Sequence, residues 1–289
     1  MIDVHMHFGR SICQTRLEPP VDEAEILRRM DELGIARAAL LPLVSPEAFC
    51  FPSTSEEAIA ISRRHPDRLF PFCNVDPRSG RNSPDTDFRW LLRHYRDQGC
   101  RGLGEFTPNL WFDDPLCLNL YCQCGEVGFP VLFDMVAKLG YGHYGVVDEP
   151  GQPRLERALA GCPQTVFIGH GPGFWSHIAA DVPEQTRGGY PQGAVRAPGR
   201  VPELMAKYPN LWADLSAFSG FNAISRDPEF GYRFLEQFQH QLLFGTDICQ
   251  VNQPVPQAAY LRQARAAGKV SQACFDKIVR ENAVRLLGL

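Results

Sequence analysis

The sequence contains no Cys-x-x-Cys pair, no apolar run near the roughly 18 residues of a membrane-spanning helix, and no basic stripe along its 289 residues. Its ten cysteines stand singly, at 13, 50, 73, 100, 117, 122, 124, 162, 249 and 274, so neither a zinc knuckle nor a thioredoxin-type motif is present. A formal net charge of −4, with both signs spread along the chain, gives a polyanion little to bind. Nucleic acid and membrane surfaces are therefore not expected as partners; a small-molecule substrate is. Also missing are a Gly-x-Ser-x-Gly nucleophile elbow, a phosphate-binding loop and a Gly-x-Gly-x-x-Gly after the first strand, which sets aside serine hydrolases and nucleotide enzymes. Met1-Ile2-Asp3-Val4-His5 enters an apolar alternation at once, without the regions of a signal peptide. The expectation is a reducing cytoplasm with mostly buried, free thiols.

What is present is a regular alternation. Short β-rich runs at 2–8, 36–44, 69–75, 102–106, 130–135, 165–169, 211–216 and 242–247 are each followed by a helical pattern. In the first helix Ile26, Leu27, Met30 and Leu33 share one face and Gly34 ends it; Ser53-Thr54-Ser55-Glu56-Glu57 opens the second with capping residues and early acids. Further helices are predicted over 85–97, 115–126, 155–159, 201–208 and 228–238, and the tail over 255–289 reads as two helices split at Gly268. Eight strand-helix units imply a parallel sheet with right-handed crossovers that closes as an α/β TIM (β/α)8 barrel, one domain over 1–289. The stretch 171–200, rich in Gly and Pro, reads as an extended loop on the face where barrel enzymes place their sites.

Polar groups recur at the ends of these strands. His5 and His7 stand two apart, so a strand places both imidazoles on one face, an arrangement suited to a metal ion. His170 ends the sixth strand and Asp247 the eighth; in a closed barrel the eighth strand neighbours the first, which sets Asp247 beside His5 and His7. Glu105 ends the fourth strand and Asp134 the fifth. All can converge on one axial pocket.

With these residues the chain resembles the amidohydrolase superfamily, in the branch that includes aminocarboxymuconate-semialdehyde decarboxylase and related metal-dependent hydrolases. The resemblance runs from Asp3 to Leu289 and is carried by Asp3-Val4-His5-Met6-His7, Phe167-Ile168-Gly169-His170-Gly171, Phe244-Gly245-Thr246-Asp247 and Glu281-Asn282-Ala283-Val284-Arg285-Leu286-Leu287. It implies that His5, His7 and Asp247 hold one divalent ion, usually zinc, with His170 beside it. It implies also that Asp247 takes a proton from a metal-activated water and that His170, if not itself a ligand, holds that water or polarises the substrate carbonyl. The chain departs from the branch at the fifth strand, where a histidine usually completes the metal shell and this sequence has Asp134. Asp134, Glu105 or His143 can stand in. An oxygen ligand makes the site harder and admits Mn²⁺ or Fe²⁺ beside Zn²⁺, and binding by both Glu105 and Asp134 would admit a second ion.

Asp3 and Asp214 read as supports that orient neighbours. Trp175 after the sixth strand, together with Tyr190, Asn222, Arg196, Arg200 and Arg226, are candidates for touching substrate, the arginines as anchors for a carboxylate. The function expected is a metal-dependent hydrolase acting on a small carbonyl compound such as an ester, lactone or amide. The alternatives are a non-oxidative decarboxylase of an unsaturated or aromatic carboxylic acid and a catalytically degenerate barrel that binds a ligand. The aromatic character of the loop over 171–200 makes a homodimer a reasonable expectation.

Overall fold

The computed structural model describes residues 1–10, 19–47, 51–139 and 144–289. Among these, the apolar runs form nine parallel strands: β1 (Ile2–Met6), β2 (Arg37–Leu40), β3 (Leu69–Pro71), β4 (Leu103–Phe106), β5 (Val131–Val136), β6 (Val146–Val147), β7 (Phe167–His170), β8 (Leu211–Asp214) and β9 (Leu242–Leu243). Eight correspond to the expected runs, and β6 is a two-residue addition paired with the end of β5. Strands β1-β2-β3 form one sheet and β4-β5-β7-β8-β9 another. Backbone bonds join the two. Cys73 N donates to Gly102 O (3.0 Å) and Gly104 N to Cys73 O (2.9 Å), linking β3 to β4. Val4 N donates to Phe244 O (3.1 Å), Asp247 N to His5 O (2.7 Å) and His7 N to Ile248 O (2.9 Å), linking β1 to the segment after β9. The result is a TIM (β/α)8 barrel.

The barrel interior follows the period of two. Leu132, Ile168 and Trp212 belong to an inner apolar cluster with Ile2, Val4 and Leu243. Two residues further along the same strands, on the same face, stand Asp134, His170 and Asp214. An apolar floor is thus topped by a polar ring. Strand β1 reaches that ring differently. Ile2 and Val4 lie in the inner cluster, whereas Met6 and Phe8 pack in the outer layer against the helices. The register irregularity between Asp3 and Met6 switches the inward face from even to odd positions and turns His5 and His7 into the barrel mouth. Strand β4 has a similar irregularity between Leu103 and Phe106, around Glu105. At the opposite end Ala283 and Leu287 of the helix Asn282–Leu287 pack onto the inner cluster and close it.

The expected caps are in place: Gly34 ends the first helix at φ 65°, and Thr54 with Glu57 forms a capping box; the structure adds Asp22, which accepts from Glu25 N (2.9 Å). Three expectations need correction. The stretch over 171–200 does not begin as an extended loop; it winds at once into the helix Pro172–Trp175 and a 3-10 turn at Ser176–Ile178. A helix not anticipated, Ala217–Ser225, follows β8; its Ala, Ser, Gly and Phe mixture shows no clear polar face to betray it. Finally, Cys122 and Cys162 are joined in a disulfide, with Cα atoms 5.0 Å apart. The helices Pro115–Val127 and Pro153–Gly161 bring them together across a separation of 40 residues, which no local spacing encodes. The remaining free cysteines among the described residues are buried, apart from a half-buried Cys249. With one disulfide formed, cysteine usage no longer argues for a reducing compartment. No described helix is long and apolar enough to cross a membrane.

Asp3, fully buried, ties the closing seam. His5 N (2.9 Å) and Thr246 N (3.0 Å) donate to its Oδ1, and the Thr246 hydroxyl donates to its Oδ2 (2.6 Å). Asp3→Ala leaves the two buried amides without an acceptor and the Thr246 hydroxyl with only its longer bond to His5 O (3.3 Å), and denaturant unfolding should show a loss of about 3 kcal/mol. Thr246→Val, which removes the donation to Asp3 and the acceptor of Ile248 N (3.3 Å), should cost about 1–2 kcal/mol.

Candidate metal centre

Three imidazoles, His5, His7 and His170, converge at the C-terminal mouth of the barrel, all buried. Their Nδ1 atoms are already engaged. His5 Nδ1 donates to Asp214 Oδ2 (2.8 Å), His170 Nδ1 to Asp214 Oδ1 (2.9 Å) and His7 Nδ1 to Leu41 O (3.0 Å). A carbonyl oxygen only accepts, so the His7 proton lies on Nδ1. Asp214 is fully buried, which by itself would raise its pKa, yet His170 and His5 outweigh burial and hold the carboxyl well below the usual range. It therefore accepts from both rings. All three Nε2 atoms are left facing the cavity.

The space they face is lined with further acceptors. His5 Nε2 and His7 Nε2 are 3.1 Å apart. Asp247 Oδ1 lies 3.2 Å from His7 Nε2 and 3.5 Å from His5 Nε2, and Glu105 Oε2 lies 3.3 Å and 3.7 Å from the same atoms. The other oxygens of both carboxylates turn the opposite way: Glu105 Oε1 is 3.8 Å and Asp247 Oδ2 3.7 Å from His170 Nε2. Asp134 completes that second side, grouping with Glu105 and His170. Its Oδ1 is buried without a hydrogen-bond partner. Burial, then the charge of Glu105, pushes its carboxyl well above the usual range.

Such a set demands positive charge. Burial alone would depress the imidazoles, but the surrounding carboxylates overcome it and raise His5 and His7 to about 10 and His170 to about 9. A divalent cation meets the same demand. Two nitrogens 3.1 Å apart with their lone pairs convergent can share one ion at about 2.1 Å each. The unpartnered Asp134 oxygen and the two-sided carboxylates fit the donor chemistry of such ions as well.

Backbone geometry makes room for this arrangement. Gly171 has φ +92°, and a Cβ there would sit 1.8 Å from Asp134 Oδ1; a Cβ at Gly145, φ +100°, would lie 3.2 Å from Asp134 Oδ2. The Asp134 carboxylate is clasped between two stretches of main chain that only glycine permits.

The structure thus brings together six of the residues expected at the site: His5, His7, His170, Asp247, Glu105 and Asp134. Asp214 is the support it was expected to be. Asp3 orients the backbone of His5 rather than its imidazole. His143 lies outside the described residues. Trp175 is corrected: it is 2% exposed, packs edge-on against Phe174 and Phe234, and its Nε1 donates to Asp214 O (3.1 Å). It braces β8 from beneath because the turn after Gly171 is helical and directs it into the core. Arg200 is bound to Gly151 O (3.0 Å), Glu156 and Glu203 at the surface, and Arg196 is exposed. Tyr190, Asn222 and Arg226 line one cavity of about 400 Å³. Sequence reasoning missed Ser216, whose hydroxyl donates to Asp214 Oδ1 (2.7 Å) and lies 2.9 Å from His170 Nδ1. The signal available was its place two residues after Asp214, on the same side of the chain as it leaves β8.

The amidohydrolase family profile matches residues 2–289. The chain belongs to the amidohydrolase family. Solved structures of similar fold include an uncharacterized TIM-barrel protein of Bordetella bronchiseptica, with TM-score 0.63, 15% identity, and coverage of 100% of this chain and 99% of that one. A probable 2-pyrone-4,6-dicarboxylic acid hydrolase of Acinetobacter baumannii, determined with citric acid bound, gives TM-score 0.59, 16% identity, and coverage of 100% and 99%. A 2,6-dihydroxybenzoate decarboxylase of Rhizobium gives 0.54, 17%, and 99% and 98%. At these identities the likeness is one of fold. No curated protein sequence matches.

In this amidohydrolase the orientation of His5 and His170 depends on one carboxylate. Asp214→Asn replaces an acceptor of two ring protons with a group that can accept at only one atom. Competition with a chelator should show metal affinity falling 10- to about 100-fold, with the fold retained by circular dichroism.

Proposed function

We propose that the chain is a metal-dependent hydrolase acting on a small carbonyl substrate, an ester, lactone or amide. The observation that carries this reading is the convergence of three imidazole Nε2 atoms, each with its Nδ1 already committed, on oxygens of Glu105 and Asp247. His5, His7 and Asp247, with Glu105, would hold one divalent ion; Glu105, Asp134 and His170 form a second donor set for another. Such an ion supplies Lewis-acid charge, which acidifies water and polarises a carbonyl oxygen. Zinc has the advantage in affinity at the histidine-rich set, and the oxygen-rich set suits manganese or iron.

The residues divide the remaining work. The Asp247 side chain is 21% exposed where Glu105 and the three imidazoles are 5% or less, so it is the carboxylate of the cluster that meets both substrate and solvent. It accepts the proton of the attacking water and returns it to the leaving group. Where no second ion takes it, His170, fixed at Nδ1 by Asp214 and raised to about 9 by the surrounding carboxylates, presents an Nε2 proton to the substrate oxygen on which charge develops. The same cluster can serve non-oxidative decarboxylation, and the product distinguishes the two: an opened lactone or cleaved ester in one case, CO₂ in the other.

Elemental analysis of protein purified without chelator tests the reading, run beside a panel of lactone and ester substrates. Wild type should hold at least about one equivalent of zinc, manganese or iron per chain. His5→Ala and Asp247→Ala should lose it together with hydrolysis, and Asp134→Ala should lower only metal beyond the first equivalent. A wild type free of metal, and not stabilised to heat by added divalent ions, would sink the catalytic reading in favour of a ligand-binding barrel.

A further inference from the structure

Beside the cluster runs a cavity that the proposed reaction leaves unexplained. Its volume is about 400 Å³, and Tyr190, Gln192, Phe218, Phe221, Asn222, Ser225 and Arg226 line it. Five of these seven come from the helix Ala217–Ser225 and its capping residue Arg226, at the spacing of one helix face. Two large aromatic side chains are left open there, Phe218 at 50% and Tyr190 at 52% exposure. At the far end Arg226 has both Nε and Nη2 buried without a hydrogen-bond partner, and it is the one described arginine with two such atoms. Its acidic neighbours are Asp181 and Asp227; the Asp227 carboxylate accepts from Val195 N (2.9 Å) and Phe230 N (3.2 Å), and neither acid accepts from Arg226 Nε or Nη2. Buried guanidinium donors without acceptors are costly, and the fork of Nε and Nη2 matches the two oxygens of a carboxylate.

The near end of the cavity lies toward the metal cluster. The helix starts directly after Ser216, whose hydroxyl lies 3.2 Å from His5 Nδ1 and 2.9 Å from His170 Nδ1. Tyr190 lies within electrostatic reach of Asp247 and Asp134. Nine helical residues separate Ser216 from Arg226, a distance of about 14 Å along the axis. A substrate that uses both ends is therefore extended.

We propose that this groove binds the body of the substrate, and that the enzyme selects an extended carbonyl compound with a planar apolar middle and a carboxylate remote from the bond that is cleaved. The aromatic middle lies between Phe218, Phe221 and Tyr190, the carboxylate pairs with Arg226, and the reacting carbonyl faces Asp247 and His170. This rests on the hydrolase reading for the reacting end alone; the groove itself is defined by residues outside the metal set.

Binding of 4-phenylbutanoate and of its uncharged amide to the metal-loaded protein, followed by titration calorimetry, tests it without any turnover. Wild type should bind the acid at least about tenfold more tightly than the amide. Arg226→Gln should bind both alike, and Phe218→Ala should weaken both by a similar factor. Equal binding of acid and amide by wild type, no saturable binding of the acid at millimolar concentration, or a preference that survives in Arg226→Gln would each overturn the proposal. Metal content measured on the same preparations keeps the two readings apart. Arg226→Gln should retain the wild-type metal, and a metal-free wild type that still prefers the acid would leave the groove standing while the metal reading falls.

Discussion

The buried Asp214 carboxylate accepts hydrogen bonds from His5 and His170 at once, and the rest of the site follows from that pair of bonds. A carboxylate with no solvent exposure survives as an anion only if donors surround it. Here the two rings are those donors, with Ser216 and the indole of Trp175 holding the same strand end from two sides. Once both Nδ1 atoms point at Asp214, both Nε2 atoms must point away from it, into the cavity. His7 reaches the same outcome through the carbonyl of Leu41. The centre therefore aims three ring nitrogens and the carboxylate oxygens at a common space before any ion arrives.

The barrel supports this chemistry by a simple stacking. On β5, β7 and β8 an inward apolar residue is followed two positions later by an inward polar one, so hydrophobic packing beneath sets the height and direction of the groups above. Leu132, Ile168 and Trp212 are held by the inner cluster, and the helix Asn282–Leu287 seals the base. Rigid elements thus carry the ligating groups, while the groove beside them is formed by the helix and loop that follow β8 and β7.

Much of this was legible in the residues themselves. The eight strands, the caps at Thr54 and Gly34, and the convergence of His5, His7, Glu105, Asp134, His170 and Asp247 all follow from local pattern and from the closure of a barrel. What escaped reading was tertiary in origin. Trp175 looked like a wall for substrate because an exposed aromatic and a buried one have the same one-dimensional signal after a Gly-Pro-Gly turn. The helix Ala217–Ser225 was hidden because it packs on several sides and so lacks a polar stripe. The pairing of Cys122 with Cys162 depends on two helices meeting, not on spacing. The alternation on β1, read as placing His5 and His7 on one face, is right for those two residues, yet Ile2 and Val4 face the same interior because the register shifts between them.

The close approach of Gly171 to Asp134 has a consequence for how this site can vary. With 1.8 Å between a would-be methyl group and the Asp134 oxygen, the main chain after β7 and the side chain on β5 occupy one shared volume. An imidazole at position 134 is bulkier than a carboxylate and would press on the turn at Gly171, and through it on the helix that seats Trp175 under Asp214. Replacing oxygen by nitrogen on the fifth strand is thus not a local exchange of one ligand for another. The turn at Gly171 and the end of β5 pack as a single unit, and a change of metal preference by that route has to move both together.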